Sequence, residues 1–346
     1  MNTFVSLGDL ISVNKKLSFL SMALKLFSCK PLMPKNPIKR IEIVYKYLIL
    51  FRLNISSNEH LLRSDGDVAL RVADSNYKVI NIKDRVIHTI FEEENEDKIY
   101  SSLKHKDSSS VYEKICNIDK ENRIITGVFY NGHHPNLNKT KSKILKKRLR
   151  DMFINLLVKS DIKYVNADLY SKSLVANILT TLERNSKNIM EEESDLVRNF
   201  AIETHQRFIK NFHDEFLLLT LSHGDIKQDN LLVENNKIIL IDWEFCEFRS
   251  PTYDIMKFKS RFPEFEDKFY LHVNKCLSEN LSSKTKTKKH SKLTHRDMDS
   301  QLDIYYLEDI SLRLLQFENR EFAKDFSKIV KFVSRTMQVN QKGNVV

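Results

Sequence analysis

Two apolar runs, LLVE and KIILID, meet at Asn235-Asn236 between Leu231 and Asp242. Asparagine tolerates positive φ, so an Asn pair between aliphatic runs signals a tight hairpin. A hairpin constrains a chain strongly, because it fixes which residues stand side by side. Here it sets Asn230, at the start of one strand, beside Asp242, at the end of the next. Asp225 lies just upstream in LSHGDIKQDN, which follows a buried-looking run over Leu217–Leu221. A loop of that length can fold over the same strand edge. Two carboxylates and one amide oxygen are therefore expected to converge there.

Ionised carboxylates held close together repel, so a cation between them is expected. The donors are all oxygens, with no His or Cys among them, and this points to a hard ion such as magnesium. Magnesium held through one or two carboxylates keeps water and favours phosphate oxygens as further ligands. The pattern suits nucleotide chemistry better than metal storage.

HGDIKQDN, with the Asp of IDWE on the following strand, resembles the HxDxxxxN and IDW/IDF motifs of aminoglycoside phosphotransferases and choline kinases. The local match runs from Leu221 to Ile255. The resemblance implies an α+β, protein-kinase-like two-lobed fold, with a small antiparallel five-stranded N-lobe and a larger, mainly helical C-lobe. It implies ATP and Mg as cofactors and the γ-phosphate moving to a hydroxyl of a small molecule. Asp225 would orient the acceptor hydroxyl and take its proton late in transfer. Asn230 and Asp242 would hold the metal. Lys227 stands where protein serine/threonine kinases place a phosphate-contacting lysine. Asp254, in TYDI, would anchor the catalytic loop, with His223 packed beneath it. HGD in place of HRD, DWE in place of DFG, and no APE segment set the chain closer to the small-molecule kinases.

Upstream, GDVALRVAD, YKVINIKD, RVIHTIF, VYEKICNID and RIITGVFY read as five short strands, rich in β-branched residues and separated by turn residues. EEENEDKIYSSLKH, after the third, has helical character. The family carries an ATP-phosphate lysine on the third strand, and the position aligned with it here is His88. Lys78 and Lys83 fall on the second strand and its turn. Histidine is shorter and mostly neutral near pH 7, a weaker grip on phosphate. Glu96 in the helical segment is the expected partner of whichever cation serves. Gly66 is the glycine available for a phosphate-covering loop, and Tyr130, in the FYNG connector, is expected at the nucleotide. Alternative readings are a protein Ser/Thr kinase, motivated by Lys227, and a pseudokinase-type binding scaffold, motivated by His88.

With 346 residues, six glycines and six prolines, the chain favours long helices with a modest sheet over a turn-rich all-β fold. The division expected is 1–54 as a helical lead-in, 55–132 as the nucleotide-binding sheet, and 133–346 as the catalytic loop and acceptor site. The helix after Lys139 is basic, with an apolar stripe of Ile144, Leu145, Leu149, Met152 and Phe153. SENLSSKTKTKKHSKLTHRDMDSQ reads as a polar, basic loop. Glu308 and Asp309 read as helix caps or solvent-facing acids, with a cationic acceptor as the sharper alternative. The net charge of +10 suits anionic ligands and also serves solubility. Nucleic acid is not an expected partner, no apolar run is long enough to span a membrane, and peripheral membrane contact stays open. Four cysteines without CxxC spacing point away from zinc or a disulfide framework and towards a reducing, cytoplasmic setting.

Overall fold

The structure, a computed structural model, describes residues 2–7, 11–32, 36–54, 59–62, 64–71, 77–91, 114–138, 141–243, 245–265, 267–285, 295–317 and 322–343. The expected helix over 92–105, with Glu96, lies outside them. The chain divides into two compact units: Met1–Asn155 with Lys227–Glu244, and Leu156–Ile226 with Phe245–Val346.

The first unit is built on an antiparallel sheet of eight strands. These are β1 (Asn2–Ser6), β2 (Ile11–Asn14), β3 (Glu59–Leu62), β4 (Val68–Arg71), β5 (Tyr77–Asn81), β6 (Val86–Ile90), β7 (Ile115–Asp119) and β8 (Ile124–Val128). Their order is β3-β1-β2-β4-β5-β6-β8-β7. The five expected strands are present as β4 to β8, and the count of five is corrected to eight. The lead-in expected to be helical also contributes β1 and β2, runs of four or five residues too short to show a clear period. Between β2 and β3 the chain forms α1 (Phe19–Ser28) and α2 (Pro37–Asn54). Ser18 caps α1, its hydroxyl accepting from the Ser21 amide at 3.2 Å.

The pleat sorts the sheet into two faces. Val5, Val13 and Val68 stand in one row and pack with Met22, Leu26, Val44 and Phe51 of the two helices. Phe4, Leu62, Ala69 and Val79 form a second cluster with Tyr77 and Ile90 on the opposite face. The first unit also holds the hairpin of β11 (Leu231–Glu234) and β12 (Lys237–Leu240) and most of the basic helix α3 (Lys143–Lys159). Leu145, Leu149, Met152 and Phe153 of α3 are buried as the stripe predicts. Ile144 is 64% exposed and does not belong to that stripe.

The second unit is mainly helical. Its three-stranded antiparallel sheet has the order β13 (Glu247–Arg249), β10 (Phe216–Ser222), β9 (Ile162–Asn166). Its helices are α4 (Ala167–Arg184), α5 (Glu191–Asn211), α6 (Tyr253–Arg261), α7 (Asp267–Thr285), α8 (His295–Phe317) and α9 (Phe322–Gly343). Helix α4 is capped by Asn166, whose side chain accepts from the Leu169 amide at 3.0 Å. Val197, Phe200, Ala201 and Phe208 form the buried stripe of α5. The basic segment expected to be a loop from Ser278 is helical at both ends, to Thr285 and from His295, and 286–294 lie outside the described residues. Among the described residues no helix is long and apolar enough to cross a membrane.

Candidate active site

The hairpin forms as its sequence predicts. Asn235 and Asn236 have φ of 48° and 63°, and the register pairs Leu231 with Leu240 and Glu234 with Lys237. The Asn230 carbonyl accepts from the Ile241 amide at 3.0 Å, which continues the ladder and sets buried Asn230 next to the residue preceding Asp242. Asp242 has φ of 68°, a left-handed conformation uncommon outside Gly, in which Asn and Asp are the better-tolerated residues. Trp243 follows it, 2% exposed, with its indole N–H donating to the Leu240 carbonyl at 3.0 Å. That anchor pins the chain where the strand ends and its direction changes.

Within the same unit, Lys78 Nζ of β5 lies 2.8 Å from Asp242 Oδ1. The two side chains keep 22% and 30% of their exposure, so the pair is open to a ligand. Lys227 precedes and Asn230 ends a short 3-10 turn (Gln228–Asn230), in which the Asn230 amide donates to the Lys227 carbonyl at 3.0 Å. Tyr130 accepts, through its hydroxyl, from the Lys114 amide at 3.3 Å. Gly66 lies so close to β5 that a Cβ there would come within 2.5 Å of Val79 Cγ1 and 3.0 Å of the Ile80 carbonyl. Close packing against β5 favours glycine there. His88 of β6 bonds through Nδ1 to Thr126 Oγ1 at 3.0 Å, and burial lowers its pKa.

The second unit carries the loop that precedes the hairpin. Asp254, at the start of α6, holds this loop through three bonds. Its Oδ1 accepts from the Ser222 hydroxyl at 3.1 Å and the Gly224 amide at 3.0 Å, and its Oδ2 accepts from the His223 amide at 2.7 Å. His223 is fully buried, and its Nδ1 accepts from the Asp225 amide at 3.2 Å. Gly224 has φ of 85°, and a Cβ there would fall 2.4 Å from the Phe245 carbonyl oxygen. Buried acceptors thus hold the backbone on both sides of Gly224, and Asp225 projects from a fixed turn.

Asp225 meets Arg261, the last residue of α6. Arg261 Nη2 lies 2.7 Å from Asp225 Oδ1, and Nη1 donates to the Ile226 carbonyl at 2.9 Å. Sequence reasoning missed Arg261. The signal was its spacing from Asp254: two helical turns put both on one face of α6. Glu308 and Asp309, expected as caps or solvated acids, are both buried. Glu308 accepts from the Ser250 amide and hydroxyl, each at 2.7 Å, and from the Tyr170 hydroxyl at 2.9 Å. Burial raises its pKa to about 7, against the pull of those hydrogen bonds and of Arg249. Asp309 is held by Lys257, by Arg313 at 2.7 Å and by the Tyr253 hydroxyl at 3.1 Å. These acids brace α8 against α6 and the β13 end.

Residues 175–274 match the sequence profile of the phosphotransferase enzyme family. No curated protein is significantly similar to the chain. Among solved structures, choline kinase from Cryptosporidium parvum Iowa II is 11% identical, covering 82% of this chain and 90% of its own, with a TM-score of 0.50. A mutant of aminoglycoside 2'-phosphotransferase-IIIa, complexed with GDP, is 10% identical and covers 85% and 97%, with a TM-score of 0.51. A GDP and kanamycin complex of APH(2")-IIia is 11% identical and covers 78% and 92%, with a TM-score of 0.50. At these identities the likeness is one of fold, and the fold is kinase-like. The chain thus resembles this group in fold, and in sequence over the part that carries its HGDIKQDN and IDWE strings.

Proposed function

We propose that the chain is a phosphotransferase that moves the γ-phosphate of ATP to a hydroxyl of a small molecule: a sugar, an aminoglycoside, an amino alcohol or a glycan precursor. The observation that carries this reading is the family match over residues 175–274, which contains both motif strings. In the reaction, the acceptor oxygen forms a bond to the γ-phosphorus and the bond to the β–γ bridging oxygen breaks. ADP leaves, and the hydroxyl proton passes to Asp225. Such transfers depend on positioning and charge more than on covalent chemistry, and the anchoring of the Asp225 loop by Asp254 suits that demand. The donors Asn230 and Asp242 suit magnesium, one carboxylate and one amide oxygen being enough when phosphates complete the shell. Bound there, the ion would neutralise the phosphate charge. Lys227, two residues beyond Asp225, has the reach of a phosphate contact.

The scaffold reading rested on His88; the Lys78–Asp242 pair, a second cation beside the motif, supports turnover over a scaffold. A protein acceptor is the other alternative. None of the four cysteines forms a disulfide, which suits the cytoplasm, where ATP is available.

The decisive test is turnover of ATP, and of GTP in parallel, against a panel of metabolite hydroxyls and of protein substrates. Asp225→Asn should lower the rate by about 100- to 10,000-fold, and a cooperative melt, shifted by the lost charge opposite Arg261, confirms that the variant folds. An unchanged rate removes Asp225 as the base. Exclusive labelling of proteins replaces the small-molecule acceptor.

A further inference from the structure

We propose that Lys78, on β5, is the cation that contacts the nucleotide phosphates in this chain, and that the position on β6 facing it is Thr89 rather than His88. The inference rests on the phosphotransferase reading and concerns which residue supplies its charge.

The sheet register carries the argument. In an antiparallel pair, directly opposed residues share a face, and successive residues alternate. Lys78 pairs with Thr89, and Val79 pairs with His88. His88 therefore stands on the face of Val79, which is fully buried among Phe4, Leu62 and Ala69. On its other side His88 pairs with Thr126, and the Nδ1–Oγ1 bond lies on that same face. Lys78 and Thr89 share the opposite face, the one from which the Lys78 ammonium reaches Asp242 at 2.8 Å. Moving His88 to that face would require a one-residue slip of β6, which would turn every side chain of the strand over.

The contact itself indicates the role. Asp242 is the carboxylate that the motif assigns to metal and phosphate, and Lys78 is the cation seen on it. A lysine ammonium on a flexible four-carbon stem can keep this carboxylate contact and still turn a proton towards a phosphate oxygen. Lys83, in the turn after β5, is exposed and has no such placement. The charge expected on β6 is thus supplied from the neighbouring strand, on the same face and at the opposed position. A pair of directly opposed side chains sits about 5 Å apart at Cβ, so a lysine at 89 would reach the same spot.

The test is equilibrium binding of a fluorescent ATP analogue, with and without magnesium, to the full chain. Lys78→Gln keeps the stem and removes the charge. It should weaken binding about 10- to 100-fold, the range for losing one charged hydrogen bond, with thermal melting confirming that it folds. Adding Thr89→Lys to that variant should restore most of the affinity, and adding His88→Lys should restore none. The proposal is overturned if Lys78→Gln binds as the wild type does, or if lysine at 88 rescues and lysine at 89 does not. In either case wild-type binding leaves the phosphotransferase reading standing. A wild-type chain that binds no nucleotide overturns both.

Discussion

Asp254→Asn removes one charge and changes almost no volume, and the structure says where the cost should fall. Both oxygens of Asp254 are in use, with three donors from Ser222, His223 and Gly224. Asparagine offers one oxygen and one NH2 group. If its oxygen faces Gly224, its NH2 faces the His223 amide, donor against donor. Flipped, the NH2 faces the Gly224 amide instead, while the Ser222 hydroxyl can turn to accept. Either way one buried backbone N–H is left without an acceptor, which costs about 1–3 kcal/mol. The surviving bonds lose their charge assistance, worth about 1 kcal/mol more. The expected loss is thus about 2–4 kcal/mol in urea unfolding followed by helical circular dichroism. Asp254→Ala abandons all three donors and should cost more. Hydrogen exchange gives the local readout: the His223 and Gly224 amides should lose protection before the amides of α5 do. Because the displaced backbone leads directly into Asp225, phosphoryl transfer should fall as well. An Asn variant within about 0.5 kcal/mol of wild type, or one more damaged than the Ala variant, refutes this account of the anchor.

Two further substitutions test the second unit. Gly224→Ala forces a Cβ to within 2.4 Å of the Phe245 carbonyl oxygen at φ of 85°. The left-handed backbone alone costs about 1–2 kcal/mol and the clash adds to it, so the melting temperature should drop, and an unchanged melt refutes the fixed turn. Glu308→Gln tests a buried acid whose pKa is raised to about 7 from 4.5. The folded state holds a proton that the unfolded chain gives up, so this contribution to stability is complete below the unfolded pKa and is lost as pH rises through about 7. Across that window it amounts to roughly 3 kcal/mol. Glutamine copies the protonated form, keeping one acceptor for the Ser250 amide and Tyr170 and one donor for the Ser250 hydroxyl. Melting temperatures from pH 5 to 8 should therefore fall less with rising pH in the variant, and parallel profiles refute the assignment.

What could be read from the sequence follows from the range of the interactions that decide each feature. The Asn235-Asn236 hairpin was legible because its turn chemistry is local, and positive φ at both residues is what asparagine tolerates. Four of the five residues in the stripe of α3 were legible as buried because a helix repeats its pattern over several turns. Strands β1 and β2 were not, since four or five residues carry too little periodicity, and beyond their pairing with each other their neighbours β3 and β4 lie far along the chain. Arg261 was hidden for a related reason: an arginine ending a helix looks like any other until the loop it meets is in place. His88 shows the sharpest limit. Composition and turns located β6 to within a residue or two, yet the chemistry depends on which face each residue takes. That face is fixed by the register against β5 and β8, so an error of one position in alignment exchanges a core-facing histidine for a threonine opposite Lys78. A lysine sought only on the strand where the resemblance places it is missed, because the requirement is for an ammonium at one point in space, and two neighbouring strands can each supply it.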